Sequence, residues 1–225
     1  MKKKVGLLIS SLNGGGAERV VSRLSTILNS EYDIYLLLFD TKNIKYDYKG
    51  KIIDIKAPAN SKGLLSKIKL LMQRTYRTKA IKKTENLDIV ISFLDSPNIV
   101  NILSKNKGCK VAISIRNYTD IGKKPSRILK LANFFMKRLY KKADLVIPVS
   151  KEISKMLFEK YFISKSKLKV IYNPYDIIDI ERLANEDIED KYENFMRSEK
   201  IFISVGRQVY QKGYWHLVKA FKLVL

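Results

Sequence analysis

Val5-Gly6-Leu7-Leu8-Ile9 is the first apolar run of this chain, and Gly14-Gly15-Gly16-Ala17-Glu18-Arg19 follows it closely. The run shows no alternation of polar and apolar residues, which is typical of a parallel strand buried on both faces. After the glycines, apolar residues recur at the spacing of one helix face: Val20, Val21, Leu24, Ile27 and Leu28. A strand, a glycine loop and a helix in this order predict the first half of a βαβ unit.

The glycine loop has two interpretations. It can bind a phosphate, because backbone N–H groups and the positive end of the helix dipole meet where Gly15 and Gly16 let an anion approach the main chain. It can equally be a tight turn that needs positive φ. Two more specific phosphate-binding motifs are absent. The dinucleotide fingerprint requires glycine at its last position, where this chain has Arg19, and no Walker sequence Gly-Lys-Ser/Thr follows.

Basic residues dominate the charge of the chain. Its 225 residues include 44 Lys and Arg against 22 Asp and Glu, a formal net charge of +22. This excess indicates an anionic partner: nucleic acid, a nucleotide-type ligand or an acidic membrane surface. The single cysteine, Cys109, excludes an intramolecular disulfide and a cysteine-based zinc site.

No targeting or membrane-spanning segment is evident. No run approaches the roughly 18 apolar residues of a transmembrane helix, and no cleavage pattern of a secretory signal follows the first strand. We therefore expect a cytoplasmic protein, peripheral on the cytosolic face of the membrane.

Strand-like and helix-like patterns alternate along the rest of the chain. Further strands are predicted at residues 34–39, 52–55, 89–93, 111–115, 145–149, 168–172 and 201–205. Further helices are predicted at residues 64–83, 98–105, 127–141, 152–161 and 215–225. This alternation predicts an α/β fold, a Rossmann-like parallel sheet with helices on both faces and its ligands at the carboxyl ends of the strands.

The composition changes after residue 172. Asn173-Pro174 is a turn signal, and residues 186–199 are acidic in an otherwise basic chain. We expect a first domain at 1–172, an interdomain linker at 173–198, and the first strand and helix of a second Rossmann-like domain at 199–225. A lone parallel strand cannot fold by itself, so the sequence is expected to be cut short.

Two stretches carry the excess positive charge. Residues 55–84 contain nine Lys or Arg and no acid, and residues 121–143 contain eight and no acid. Apolar residues in the first stretch are Leu64, Leu65, Ile68, Leu71 and Met72, and in the second Ile128, Leu131, Phe135 and Leu139. Each is either an ordinary helix with its apolar stripe toward the core or a helix that docks on anionic lipid head groups. Nucleic acid is not expected as a partner, because no recognisable nucleic-acid module is present.

Together these motifs resemble a bacterial family 4 glycosyltransferase, a GT-B enzyme of two Rossmann-like domains. The matching segments are Gly15-Gly16-Ala17-Glu18-Arg19, Asp88-Ile89-Val90-Ile91-Ser92-Phe93-Leu94, Val170-Ile171-Tyr172-Asn173-Pro174 and Ser204-Val205-Gly206-Arg207-Gln208-Val209-Tyr210-Gln211-Lys212-Gly213. The last is the most specific, because Gly-Arg, four residues and Lys-Gly open a helix in this family. The resemblance covers nearly the whole chain in the family's order.

The resemblance implies roles for individual residues. Arg207 and Lys212 would bind the donor diphosphate and stabilise the negative charge that develops on it, which makes them the catalytic candidates. Gly15 and Gly16 would face the same diphosphate. No metal and no other cofactor is then required. The alternative for Arg207 and Lys212 is a solvated basic loop.

Three residues are candidates for contact with the acceptor. Glu18 could instead be a partner of the helix dipole. Arg116 and Asn117 stand where the family often has a histidine, and Arg116 is either a contact for an anionic acceptor or a salt-bridged loop arginine.

The expected function is that of a retaining glycosyltransferase fragment, of the hexosyltransferase type. It would transfer a hexose-type sugar from a nucleotide-sugar to a membrane-associated glycan or lipid acceptor in cell-surface polysaccharide synthesis, and residues 1–225 alone would be inactive. The alternatives are a non-catalytic module that binds an acceptor or lipid, and a dinucleotide-dependent Rossmann enzyme, which Arg19 disfavours.

Overall fold

A computed structural model gives the fold of the first 175 residues as one six-stranded parallel sheet. It describes residues 2–58, 63–117, 127–187, 192, 201–206 and 208–224, but not the side chains of 127–133 and 211. The strand order is β3-β2-β1-β4-β5-β6, and every adjacent pair is parallel. The predicted α/β Rossmann-like class is confirmed. The strand order reverses between β1 and β4, the position at which such sheets bind ligands.

The strands are β1 (Lys4–Ile9), β2 (Asp33–Leu38), β3 (Lys51–Asp54), β4 (Ile89–Phe93), β5 (Lys110–Ile115) and β6 (Leu145–Pro148). The helices are α1 (Gly16–Leu28), α2 (Leu64–Thr84), α3 (Asp95–Leu103), α4 (Arg127–Tyr140), α5 (Lys151–Tyr161), α6 (Ile177–Ala184) and α7 (Tyr214–Phe221). Short 3₁₀ turns lie at Lys165–Lys167 and Tyr210–Lys212.

Apolar side chains of β1 point to both faces of the sheet. Leu7 packs in the cluster under α1, whereas Leu8 packs in the cluster under α2. Both are fully buried, as the uninterrupted apolar run predicts. In the pairing of β4 with β5, Val90 lies beside Val111 on the same face of the sheet. Val90 packs in the cluster under α2, and Val111 packs in the cluster that contains Tyr140 of α4. Helices α2, α3 and α4 therefore cover one face, and α1 covers part of the other.

Two predicted strands are not strands in the structure. Residues 168–172 run beside β6, but only Leu168 forms a bridge, to Val146, and only Lys169 and Ile171 donate backbone hydrogen bonds to that strand. Residues 201–205 have no strand pairing with any described residue. Residues 168–172 thus pair with β6 too sparsely to form a strand, whereas residues 201–205 have no neighbouring strand among the described residues to satisfy their backbone groups.

The predicted linker contains a helix that the sequence pattern did not reveal. Asp176 caps α6 by accepting a hydrogen bond of 3.0 Å from the N–H of Asp179. Arg182 adds ion pairs with Asp179 and Glu186 along the exposed helix surface. The chain divides into two compact units, Met1–Tyr175 and Asp176–Leu225. The described residues of the second unit include no buried side chain.

Candidate functional site

The glycine loop enters α1 at the carboxyl end of β1. Gly14 has φ of +122°, a conformation that side chains rarely adopt. Gly15 is the N-cap, and a methyl group on it would collide with the carboxylate of Glu18. Glu18 is the third helical residue, from which a carboxylate can reach back over the first turn. The loop therefore needs glycine at position 14 for its backbone, and the missing side chain at position 15 leaves room for the carboxylate of Glu18.

Gly16 is the first residue of α1 and is exposed, with no atom within 4 Å of the position that a Cβ would occupy. The first N–H groups of a helix have no acceptor inside that helix. Helix N-termini bind anions through these N–H groups and through the helix dipole. The open space at Gly16 is wide enough for an anion to approach the main chain.

Arg116 directly follows β5 at the same edge of the sheet and is half-buried. Its Nη2 donates a hydrogen bond of 2.8 Å to Oδ1 of Asn173. Desolvation lowers the pKa of the Arg116 guanidinium, and the charges of Tyr175 and Glu18 act in the opposite direction. Glu18 and Arg116 are thus close enough to interact. Asn117, the next candidate, is exposed beside Arg116.

Asn173 is a site residue that the sequence indicated only as part of a turn. A second arginine holds the same segment, because Nη1 of Arg23 on α1 donates a hydrogen bond of 3.3 Å to the carbonyl of Pro174. Two cations of the first unit therefore fix the chain just before the boundary at Tyr175. An Asn-Pro turn signal carries no information about such partners, which are 57 and 151 positions away.

Arg116 also lines a groove of about 220 Å³ on the face of the sheet that carries α1. The groove is mostly apolar, and its walls include Leu24, Phe93, Ser114, Val149, Tyr172 and Asn173. A cation at the rim of an apolar groove suits a ligand with an anionic head and an apolar or sugar body.

Buried amides of α3 hold the strand ends in place. Asn98 accepts a hydrogen bond of 2.7 Å from Ser92 of β4 and donates one of 3.0 Å to the carbonyl of Ser114 in β5. Asn101 donates to the carbonyls of Val90 and Ala112 on the same two strands. Because these side chains are buried, their loss would leave polar groups unpaired, and Ser114 lies two residues before Arg116.

The second unit carries the remaining candidates. Lys212 is exposed at the end of a 3₁₀ turn, and Gly213 with φ of +64° leads from that turn into α7. The hydroxyl of Tyr214 packs against Gly206, where a Cβ would lie only 2.6 Å from it. Arg207 lies outside the described residues. The structure thus brings Glu18 and Arg116 together in the first unit, beside Gly15 and Asn117, and places Lys212 close to Gly206 in the second.

Comparison with known proteins shows the family to which this chain belongs. Residues 14–178 match Glycosyltransferase Family 4. A Campylobacter jejuni protein named N-acetylgalactosamine-N,N'-diacetylbacillosaminyl-diphospho-undecaprenol 4-alpha-N-acetylgalactosaminyltransferase is 30% identical over 223 residues, covering 97% of this chain and 59% of that protein.

Solved structures share the fold at low sequence identity. A glycosyltransferase from Rickettsia africae superposes with a TM-score of 0.66 at 18% identity, covering 99% of this chain and 57% of that one. The Anabaena protein HepE, solved with UDP and glucose, superposes with a TM-score of 0.55 at 16% identity. The match covers 78% of this chain and 46% of HepE. The chain thus spans about half to three-fifths of the length of these proteins. With the match over residues 14–178 and the Rossmann-like sheet, the chain belongs to Glycosyltransferase Family 4.

Proposed function

We propose that the protein is a retaining, metal-independent glycosyltransferase. It transfers a hexose-type sugar from a nucleotide-sugar to a lipid-linked or membrane-associated glycan in cell-surface polysaccharide synthesis. Family membership over residues 14–178 is the observation that carries this proposal. The name of the Campylobacter relative specifies an N-acetylgalactosaminyl group and a diphospho-undecaprenol acceptor, and HepE was solved with UDP and glucose. UDP-linked hexoses and N-acetylhexosamines are therefore the first donors to test.

Within the first unit, the donor diphosphate is assigned to the start of α1. Support comes from the open main chain at Gly16 and from the N-terminal N–H groups of the helix. In sugar transfer the bond from the anomeric carbon to the diphosphate breaks while the acceptor oxygen bonds to that carbon. Arg207 and Lys212 stabilise the charge on the departing diphosphate, which receives the proton of the acceptor hydroxyl.

The acceptor is assigned to the edge of the first unit around Arg116. Its half-buried guanidinium lies at the rim of an apolar groove and is fixed by Asn173, so it can pair with the diphosphate of a lipid-linked glycan without reorganising. Glu18 and Asn117 lie beside it as polar contacts for the sugar. The charge of Glu18 favours the charged form of the Arg116 guanidinium, because it acts against the lowering of the Arg116 pKa by desolvation.

We place the protein on the cytosolic face of the membrane as a peripheral enzyme. A net charge of +22 favours an anionic lipid surface, with a contribution of about 1 kcal/mol for each basic residue near that surface. No helix among the described residues is long and apolar enough to cross a membrane.

The test is a transfer assay with the full-length protein, a panel of nucleotide-sugars and lipid-linked acceptors extracted from membranes. We expect nucleoside diphosphate to be released only when one particular donor and the acceptor are both present, and this release should persist in EDTA. The glycosylated product should keep the anomeric configuration of the donor. Binding of the acceptor without any turnover would instead identify a non-catalytic module, and an inverted product would refute the retaining mechanism.

Residues 1–225 alone are expected to release no nucleoside diphosphate above background in the same assay. The described part of the second unit has no buried side chain, so Lys212 is not held by a packed core there. A charge that is not preorganised stabilises a transition state poorly. Acceptor-dependent turnover by residues 1–225 would refute the expected inactivity.

A further inference from the structure

Residues 39–50, the crossover segment, connect β2 to β3 and run alongside α1. Because β2 and β3 are parallel, the segment starts at the carboxyl edge of the sheet and ends at the amino edge. Helix α1 runs in the same direction, since it leads from β1 to the parallel β2. At the start of the segment, the N–H of Asp40 donates a hydrogen bond of 3.0 Å to the carbonyl of Ser10. The crossover segment therefore begins beside the chain that leads into the glycine loop.

Two buried serines of α1 hold the second half of the crossover segment. Oγ of Ser22 donates a hydrogen bond to the carbonyl of Asp47, and Oγ of Ser25 accepts one of 3.1 Å from the N–H of Lys49. The Ser25 hydroxyl itself donates 2.6 Å to the carbonyl of Ser22. A buried hydroxyl that loses its partner costs free energy, so these bonds fix the segment against the helix.

Lys45 is the residue of the crossover segment that meets the glycine loop. Its N–H donates a hydrogen bond of 2.9 Å to the carbonyl of Leu12, and the neighbouring Ile44 packs in the same apolar cluster as Leu12. Cδ of Lys45 lies 3.7 Å from the position that a Cβ on Gly14 would occupy. The aliphatic part of the Lys45 side chain therefore lies against Gly14, while the residue as a whole stays exposed.

The charge of Lys45 is available for an anion. Lys45 takes part in none of the ion pairs between residues that the structure describes. Beyond Gly14, the open space at Gly16 exposes the first N–H groups of α1, which have no acceptor inside the helix. A lysine on a loose loop would lose much freedom on binding an anion, whereas backbone hydrogen bonds already order the chain on both sides of Lys45. A cation beside free N–H groups is the arrangement that binds phosphate groups.

We propose that Lys45 binds the diphosphate of the nucleotide-sugar donor together with the first N–H groups of α1. The inference rests on the proposed function, which assigns this diphosphate to the start of α1, and it adds a cation that the glycine motif does not contain. A lipid-linked acceptor also carries a diphosphate. The donor is the better match because Lys45 lies against the glycine loop itself, whereas Arg116 follows β5, which β4 separates from β1.

The first test compares Lys45→Met with Lys49→Met in the full-length protein by calorimetric titration with inorganic pyrophosphate. Methionine keeps an unbranched side chain that can pack on Gly14 but removes the charge. Lys49 is the matched control, because it is exposed on the same segment but is bonded to Ser25, about 13 Å further along α1 than Gly16. That separation exceeds the Debye length of about 8 Å at physiological ionic strength.

We expect Lys45→Met to weaken pyrophosphate binding about tenfold, because tenfold equals about 1.4 kcal/mol, close to the smallest contribution of a hydrogen bond to a charged group. Lys49→Met should bind like the wild type. Lys45→Arg should recover most of the loss, and the unfolding temperature of Lys45→Met should stay at the wild-type value, which a merely structural role of the side chain would not allow. Equal losses in the two methionine variants, or no binding of pyrophosphate by the wild type, would overturn the inference.

Transfer kinetics separate the donor from the acceptor. Lys45→Met should raise the KM for the nucleotide-sugar about tenfold and leave the KM for the lipid-linked acceptor near the wild-type value. An unchanged donor KM, or a rise confined to the acceptor KM, would overturn the inference while sugar transfer itself upheld the proposed function. Weaker pyrophosphate binding in Lys45→Met, combined with no transfer of any sugar by the wild type, would refute the proposed function and leave the diphosphate site at Lys45 in place.

Discussion

The guanidinium of Arg116 and the amide of Asn173 are joined by a hydrogen bond of 2.8 Å between Nη2 and Oδ1. The first residue directly follows β5, and the second lies in the last segment of the first unit. The same contact therefore fixes a cation at the carboxyl edge of the sheet and anchors the chain that leads to the second unit. Arg23 holds the neighbouring carbonyl of Pro174 and reinforces that anchor.

Substitution of Arg116 should affect the acceptor more than the donor. We expect Arg116→Ala to raise the KM for a diphosphate-linked acceptor at least about tenfold while leaving the KM for the nucleotide-sugar near the wild-type value. Arg116→Lys should recover part of this loss because it keeps the charge, and Asn173→Ala should have a smaller effect than Arg116→Ala. An unchanged acceptor KM in Arg116→Ala would mean that the arginine only anchors the Asn173 segment.

The glycine loop offers a set of matched variants. Gly14→Ala should destabilise the protein by about 1 kcal/mol because position 14 has φ of +122°. Gly16→Ala should leave the unfolding temperature nearly unchanged because its Cβ meets open space, yet raise the donor KM about tenfold by blocking close approach of the diphosphate. Thermal unfolding and donor kinetics measure the two effects. Normal donor kinetics in Gly16→Ala would favour the simple tight turn.

The basic loop of the second unit is tested in the full-length protein. Arg207→Ala and Lys212→Ala should each slow sugar transfer tenfold or more, a loss of at least about 1.4 kcal/mol of transition-state stabilisation. Circular dichroism should show an intact fold. Lys222→Ala removes another exposed lysine of the same unit and serves as the control that should keep its rate. Wild-type rates in both loop variants would place the diphosphate elsewhere.

The buried Lys82 should make stability depend on pH. Burial lowers its pKa from 10.5 to about 8, an effect that Cys109 and Asp144 oppose and Lys105 reinforces. The unfolded chain then binds more protons than the folded one between pH 8 and 10.5, so the cost of burying the charge is full below pH 8 and fades as the pH rises.

Replacing Lys82 with methionine removes this cost at neutral pH. The gain in unfolding free energy of Lys82→Met over the wild type should be about 2 kcal/mol larger at pH 7 than at pH 10, measured by denaturant unfolding. Lys83→Met, from the same turn but exposed, controls for the loss of charge. A difference that is constant across this pH range would mean that Lys82 stays charged when buried.

The local sequence pattern was sufficient to predict most strands and helices of the first unit. The predicted strands at 34–39, 89–93 and 111–115 and the helix at 64–83 match the observed elements within a residue or two. The local pattern predicted a strand at residues 201–205, which have no pairing partner among the described residues. It also missed α6, a helix that Asp176 caps and ion pairs of Arg182 stabilise in a segment with the composition of a linker.

Helix α2 shows why the orientation of a helix was beyond prediction. The sequence places apolar residues there in a basic stretch, among them Leu64, Leu65, Ile68, Leu71 and Met72, but it cannot tell which side of the helix meets the sheet. In the structure Leu71 packs on the core, while Leu64, Leu65, Ile68 and Met72 remain exposed. The core-facing interpretation is therefore wrong for those four residues, because hydrogen bonds from Arg74 and Lys82 to buried carbonyls orient the helix.

The sequence by itself determined that β1, the glycine loop and α1 form the first half of a βαβ unit, and that the chain is an α/β protein of this family. Those properties depend on the order, periodicity and charge of neighbouring residues. Tertiary structure alone decided that Arg116 pairs with Asn173, that Arg23 pairs with the carbonyl of Pro174, and which face of α2 is exposed. Each of these depends on how distant strands align in the sheet, and side-chain partners across such distances are fixed by packing and hydrogen-bond geometry rather than by local pattern.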